Sequence, residues 1–387
     1  MPSRPSDPAR LARLEIICLR YPLARPMDTV MGRLESRPAL LIRLEDGSGA
    51  EGWGEVWCNF PKPGAEYRAE LAAATLEHGL AAVDPSAPAE AFVALRKRLH
   101  LLALQAGEGG PADQIASGVD IALHDLAARK AGVSLAAFLG GAPRALESYA
   151  SGIDSRLAAD MVAKARDDGF STFKLRVGFG HDSDAEVLRT CGDLIGKGEV
   201  LAVDANQNWS LAGIRDLAGL INETPLAWVE EPLPVDRPLS EWIAAADALA
   251  HPIAGGENMR SSAEFDAAIA GPVFGVIQPD VCKWGGLSGC LDIARRVIAA
   301  GKRYCPHYLG GGLGLVASAH LLSAAGGDGL LEIDVNDNAL RERLAGSLLP
   351  LREGRAITPD GPGLGVTPDC DLIRDYQVSH FDIKLRN

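Results

Sequence analysis

The chain has 387 residues, 47% of them hydrophobic, and a formal net charge of −13. That length exceeds one simple domain and suits a large barrel beside a smaller unit, and the apolar share suits a globular protein with a substantial core. The acidic balance excludes nucleic acid and anionic membranes as natural partners, and an anionic substrate needs local cations or a metal ion to hold it.

Seven scattered cysteines form no C-x-x-C pair. They read as free thiols of a cytoplasmic protein, not as a zinc knuckle or redox motif. No apolar run is long enough to cross a bilayer, and Arg10, Arg13, Glu15 and Arg20 interrupt any leader-like core. In chain order, MPSRPSDPAR (1–10) is Pro- and Ser-rich and expected to be loosely ordered. The segments LARLEIICLRYP, PALLIRLEDG and AEGWGEV follow as strands, with Asp46-Gly47-Ser48-Gly49 turning a hairpin between the last two. Helices near 65–82, 88–104 and 112–131 complete an α+β domain over 1–140.

After Gly140-Gly141 the pattern changes. Eight short apolar runs begin at residues 147, 172, 200, 226, 252, 275, 303 and 329, each separated from the next by a stretch of helical length. The first such stretch carries Leu157, Met161 and Ala165 on one stripe. Runs apolar on both faces and separated by single helices predict a closed parallel barrel over 141–345. No G-x-G-x-x-G follows the first run, which counts against an open doubly wound sheet. The tail, 346–387, contains GPGLG (361–365) and no clear repeat.

The chemistry sits at the ends of the runs. Lys174 and Arg176 close the second, Asp204 the third, Glu230 the fourth, Glu257 the fifth, Asp280 the sixth and His307 the seventh; Glu332 lies in the eighth. In a (β/α)₈ barrel the C-terminal strand ends converge on one mouth, so these groups surround a single opening. Asp204, Glu230 and Glu257 offer only hard oxygen donors, a set that suits Mg²⁺; solvated or ion-paired rim acids are the alternative. Glu231 is expected to point away from Glu230, because side chains alternate along a strand. His307 and Asp280, on neighbouring runs, are placed to form a dyad in which the carboxylate fixes the tautomer and supports the imidazolium. Glu332 is either a neutral acid for a developing oxyanion or a structural partner of Lys174 or Arg176. The glycines of 310–312 either offer N–H groups to an anion or serve turn chemistry. Walker A, H-E-x-x-H and G-x-S-x-G motifs are absent.

The series KLR (174–176), DANQNW (204–209), WVEEP (228–232), GGEN (255–258), QPDVCKWGG (278–286), PHYLGGG (306–312) and LEID (331–334) resembles the mandelate racemase group of the enolase superfamily. Within it the match is to the acid-sugar dehydratases and related cycloisomerases, in order along nearly the whole chain. The resemblance implies a modified TIM barrel, (β/α)₇β, with an α+β capping domain built from the N-terminal segment and the C-terminal tail. It implies that Asp204, Glu230 and Glu257 bind Mg²⁺, that His307 with Asp280 is a general base or acid, and that Glu332 hydrogen-bonds an enediolate. Asn206 matches a position that contacts substrate. Segments 21–32 and 57–64 match mobile loops that close the site, and the family likeness also implies a homo-oligomer.

Many members of the group carry Lys-x-Lys on the second strand, the second lysine acting as a base. Here the position holds Arg176, which at neutral pH is uncharged in fewer than about one molecule in 10⁵. Arg176 suits gripping carboxylate or hydroxyl oxygens, with Lys174 as a cation near the reacting carboxylate. Lys283 stands near a lysine that serves as a base in the muconate-lactonising relatives, and is read as near or touching substrate. The expected reaction is dehydration of a hydroxylated carboxylate, an aldonate or aldarate, to a 2-keto-3-deoxy acid. A racemase, epimerase or lactone cycloisomerase is the alternative on the same scaffold, and a non-catalytic sugar-acid binder the remote one.

Overall fold

The computed structural model describes residues 10–29, 31–80 and 83–385; the Pro-rich stretch 1–9 and residues 81–82 of the expected first helix lie outside the described residues. Alternating apolar residues build β1 (Leu11–Thr29), β2 (Gly32–Asp46) and β3 (Glu51–Val56), paired antiparallel. Asp46 turns the expected hairpin by accepting from Ser48 N–H at 2.9 Å and Ala50 N–H at 3.0 Å. Both faces of this sheet are buried. Ile16, Cys18, Leu40 and Ile42 pack under α1 (Gly64–Leu80), α2 (Pro88–Ala106) and α3 (Gly109–Ala131), whereas Ile17, Leu19, Ala39 and Leu41 face the core shared with the barrel. A Cβ at Gly52 or Gly54 would strike the backbone of α3, so the helix can lie directly on β3. Residues 21–29, expected as part of a loop, continue β1: after an irregularity between Pro22 and Met27, Met27 and Asp28 pair with Leu34 and Arg33. Near the hairpin tip the Thr29 hydroxyl accepts from Met31 N–H at 3.1 Å and donates to the Gly32 carbonyl at 2.7 Å.

The second unit contains β4 (Ala145–Leu146), β5 (Ser148–Asp154), β6 (Thr172–Arg176), β7 (Val200–Asp204), β8 (Leu226–Glu230), β9 (Ile253–Gly255), β10 (Phe274–Ile277), β11 (Arg303–Tyr304) and β12 (Leu331–Asp334). Strands β5 to β12 form one curled sheet in the order β11-β10-β9-β8-β7-β6-β5-β12, each neighbouring pair parallel. Seven α-helices, Ala158–Asp167 through Gly312–Ala325, connect them, giving a modified TIM barrel with an α+β cap. The ladder leaves β11 and β12 unpaired with each other. They meet through Leu330 N–H on Cys305 Sγ at 3.4 Å and through Gly329, whose missing Cβ admits the Tyr304 carbonyl.

Two local expectations shift. In the helix after β5 the buried residues are Ala158, Val162 and Ala165; Leu157 sits in the preceding 3₁₀ turn, 57% exposed, so the helical phase starts one residue later. The tail also divides. Leu348, Ala356, Leu364 and Leu372 pack into the barrel-side core, β13 (Ala356–Ile357) pairs with β4, and only β14 (Gln377–Lys384) joins the cap sheet beside β1.

The lumen is plugged by Tyr149, Ala202, Trp228, Ala254, Val276, Cys305 and Leu330, with the Tyr149 and Trp228 rings edge-on at 5.3 Å. Two residues further along the same phase stand Ser151, Asp204, Glu230, Gln278, His307 and Glu332. Period-two alternation therefore puts an apolar plug below and a polar ring at the mouth.

His320, fully buried in Gly312–Ala325, ties the tail to this core. Its Nδ1 accepts from Ala136 N–H at 3.0 Å and its Nε2–H donates to the Leu364 carbonyl at 3.0 Å. Burial pushes the imidazole from 6.5 down to about 4. Between those values the unfolded chain binds a proton that the native protein refuses, so acidification through this window removes up to about 3 kcal/mol of stability. Urea titrations at about pH 7 and pH 4.5 should show a loss smaller by about 2 kcal/mol in His320→Gln than in the wild type. Equal losses would contradict the assignment.

Candidate active site

The mouth faces the cap, and a cavity of about 160 Å³ lies between them. From the cap come Met27, Thr29, Leu34, Arg37, Trp57 and Phe60. Of the residues singled out from the sequence, Lys174, Arg176, Asp204, Asn206, Glu257, Lys283, His307 and Glu332 line it. Glu230 and Asp280 lie behind them as partners of Lys174 and His307. Wider depressions of about 550 and 580 Å³ lie over α2–α3 and beside residues 349–351, so chemistry and not size marks this cavity.

His307 stands between two acids, Nδ1 2.8 Å from Asp280 Oδ2 and Nε2 2.5 Å from Glu257 Oε2. Cys282 N–H, donating at 2.8 Å, holds Asp280 in turn. Burial works to lower the imidazole pKa, but the charges of Glu257 and Glu332 outweigh it and hold the ring well above its usual value.

Lys174 Nζ lies 2.5 Å from Glu230, 2.8 Å from Glu332 and 3.6 Å from Asp204. Burial again opposes the charge, and Glu230 and Glu332 overcome it, so the ammonium is held well above its usual pKa. A lysine held this way is a fixed cation and a poor base. Glu332 accepts from Ser151 Oγ at 2.5 Å and from Tyr308 N–H at 2.9 Å. Burial pushes its carboxyl up, but Lys174 and His307 bring it below the usual range. In this arrangement Glu332 pairs with Lys174, the second of its two readings from sequence.

Asp204 and Glu230 end neighbouring strands in register, and Glu257 follows β9. Glu231 joins them, contrary to the expectation that it points away. Strand β8 ends at Glu230 and Glu231 turns at φ 36°, which breaks the alternation; its carboxylate lines the cavity, accepting from Asn258 at 2.9 Å and Gln207 at 3.0 Å. Burial and the charge of Glu230 push Asp204 up to about 7, and burial with the charge of Glu257 pushes Glu231 up to about 8. Burial and like charge favour the neutral forms of such crowded acids, and a bound cation would reverse that preference. All of their donors are hard oxygens, the donor chemistry that Mg²⁺ takes. Among the described residues no three His, Cys, Asp or Glu side chains converge as a closed ligand set. Glu230 is engaged by Lys174, by Gln278 Nε2 at 2.8 Å and by Trp228 Nε1 at 3.0 Å, and Glu257 by His307.

Asn206 directs its N–H and its Nδ2 to Asp204, both at 2.8 Å. Lys283 Nζ contacts Asn258 Oδ1 at 3.1 Å and Glu257 at 3.4 Å, 4.8 Å from the centre of the Trp57 ring. Arg176 reaches the Asp28 carbonyl at 3.5 Å. Of the 310–312 glycines, Gly311 donates its N–H to Glu55 of β3 at 2.5 Å, and Gly314 in the following helix donates to the same carboxylate at 2.9 Å. Gln278 and Ser151 went unselected from sequence although both stand two residues past a lumen plug, which is a readable signal. Arg37 had none, because its ion pair with Asp334 joins residues 297 apart.

A family model described as mandelate racemase / muconate lactonizing enzyme, N-terminal domain, matches residues 12–140, and one described as enolase C-terminal domain-like matches 156–372. D-galactarolactone cycloisomerase of Agrobacterium fabrum is 28% identical over 93% of this chain and 97% of its own. A mandelate racemase/muconate lactonizing enzyme structure from Bordetella bronchiseptica superposes with a TM-score of 0.88 at 46% identity, covering 95% of this chain and 99% of that one. A racemase from Streptomyces coelicolor, solved with bound magnesium, gives 0.84 at 26% identity, covering 95% and 100%. Dehydratases and epimerases are among the further relatives. By both of its matched segments and its barrel-and-cap architecture, the chain belongs to the mandelate racemase/muconate lactonizing enzyme family of the enolase superfamily.

Proposed function

We propose that the chain is a Mg²⁺-dependent enzyme that removes the proton beside a substrate carboxylate and dehydrates an aldonate or aldarate to a 2-keto-3-deoxy acid. The observation that carries this is one-sided proton chemistry at the mouth. His307, aimed by Asp280, reaches the cavity from one wall, while on β6 Lys174 is locked as a cation and Arg176 is no base.

Asp204, Glu230 and Glu257 are the residues to hold Mg²⁺, with Glu231 beside them. The ion would acidify the carbon next to a bound carboxylate and stabilise the enediolate. His307 takes the proton at Nε2, and Asp280 supports the imidazolium. Glu257 now keeps that nitrogen protonated, so His307 serves as a base only when Glu257 is engaged elsewhere. Lys174 holds charge developing on the carboxylate, and Glu332 keeps Lys174 in place; a hydrogen bond from Glu332 to the enediolate requires it first to gain a proton. The imidazolium then supplies a proton to the departing β-hydroxyl, and the enol product tautomerises to the keto acid. Arg176, Asn206 and Lys283 hold the remaining substrate oxygens.

The second reading is a lactone cycloisomerase, which the single base at His307 also serves, and which the likeness to D-galactarolactone cycloisomerase favours. A two-base racemase has less support, because Arg176 replaces the second base. A non-catalytic binder would have no use for the His307–Asp280 dyad.

Proton NMR in D₂O against a set of aldonates, aldarates and lactones should show a 2-keto-3-deoxy product. Deuterium at the α-carbon without loss of water would point to epimerisation instead, and ring-opening isomerisation of a lactone to the cycloisomerase. His307→Asn should lower turnover by about 10³-fold while Mg²⁺ binding, followed by calorimetry, is retained. Turnover within tenfold of wild type, or a greater loss in Lys174→Met, would remove His307 as the base. Chelation of divalent metal should abolish turnover and added Mg²⁺ restore it; full activity in chelator would contradict the metal assignment.

A further inference from the structure

The cavity has a second cationic end. Arg176 closes β6 one pleat beyond Lys174, and Arg37 reaches down from β2 of the cap. Both line the cavity, and the Nε–H of each is buried without an acceptor. Buried donors are nearly always satisfied, so two orphans in one wall point to a ligand oxygen.

The local charges do not balance either. Arg37 and Arg341 both pair with the one carboxylate of Asp334, Arg341 at 3.5 Å. Glu342 meets Arg341 at 3.0 Å from the solvent side. Arg176 lies in the field of Asp334, Asp154 and Asp204 but has no ion pair of its own among the described residues, and Asp154 is already paired with Arg156 at 2.6 Å. Gly152 opens this corner: at φ +75° and without a Cβ, it leaves the space that Asp334 and Asn336 occupy. The cation on the opposite wall, Lys283, is engaged by Asn258 and Glu257. A hydroxyl could accept from an Nε–H and leave the excess charge in place, whereas a carboxylate answers both and matches the guanidinium fork.

We propose that Arg176 and Arg37 form a subsite for a second carboxylate, so that the substrate is an aldarate and not an aldonate, an inference that rests on the proton chemistry proposed above. The first carboxylate then lies toward Lys174, two residues back along β6. Residues two apart on a strand stand about 6.6 Å from each other, comparable with the ends of an extended six-carbon chain.

The test is calorimetry of the Mg²⁺-loaded full chain with each six-carbon aldarate and the aldonate of the same configuration. Wild type, Arg176→Met and Arg176→Lys are compared, each checked by circular dichroism. The best aldarate should bind about 100-fold more tightly than its aldonate, and the margin should fall below about tenfold in Arg176→Met and recover in part in Arg176→Lys. If the Met variant does not fold, a reduced margin in the Lys variant is the expected result, since the fork is lost there too. No aldarate binding more tightly than its aldonate, or a margin unchanged in the variants, overturns the subsite. α-Deuterium exchange on the same pairs reads the proton chemistry separately. Exchange on aldonates at least as fast as on aldarates keeps that chemistry and overturns the subsite. Tighter aldarate binding with no exchange on any acid keeps the subsite and overturns the chemistry.

Discussion

Lys174 carries its charge into the barrel, 2% exposed, with carboxylates from β7, β8 and β12 gathered around its ammonium. Withdrawing ions from water costs several kcal/mol each, and stripping one partner from such a group leaves an uncompensated buried charge, at about 3–5 kcal/mol. The cluster therefore demands that four strands keep their phase at the mouth, because a one-residue slip would turn a carboxylate out and an apolar side chain in. The Tyr149–Trp228 plug enforces the same phase from below. Stability and site geometry thus depend on one set of contacts.

The acids of the mouth are nonetheless not all answered by cations. Glu230 and Glu332 are answered by Lys174, and Asp280 by His307, while Asp204 and Glu231 are pushed toward their neutral forms by burial and by one another's neighbours. Glu257 is shared between His307 and Lys283. That sharing links two roles. A carboxylate that holds the histidine proton cannot also be fully engaged by a cation, so binding of a positive ion and release of the imidazole for base work are two sides of one exchange.

The cap completes what the barrel begins. Glu55 of β3 accepts from Gly311 and Gly314 and so fixes the loop that follows His307. Arg37 of β2 reaches Asp334 on β12, and Trp57 lies against Lys283. Each is a polar or aromatic contact across an interface that also carries apolar residues, among them Ile17, Leu19 and Leu41 of the cap sheet. The apolar contact area supplies attraction without direction; the charged contacts set which cap residue faces which strand end.

Much of this was legible in the chain because it is periodic. Eight apolar runs, seven helical intervals and ionisable residues recurring at run ends specify a barrel with a charged mouth, since alternation decides locally which side chains face inward. Gln278 and Ser151 obey the same rule, and Glu231 escaped it only because the strand stops one residue earlier. What tertiary structure alone decided has no period. Glu332 meets Lys174, Ser151 and Tyr308, which come from three other segments. Arg37 meets Asp334 across most of the chain length, and the tail divides between cap and barrel according to which surfaces remain uncovered. A local pattern fixes the direction of a side chain, but its charge state and its partner depend on burial and on distant residues, which only the folded chain brings within hydrogen-bonding range.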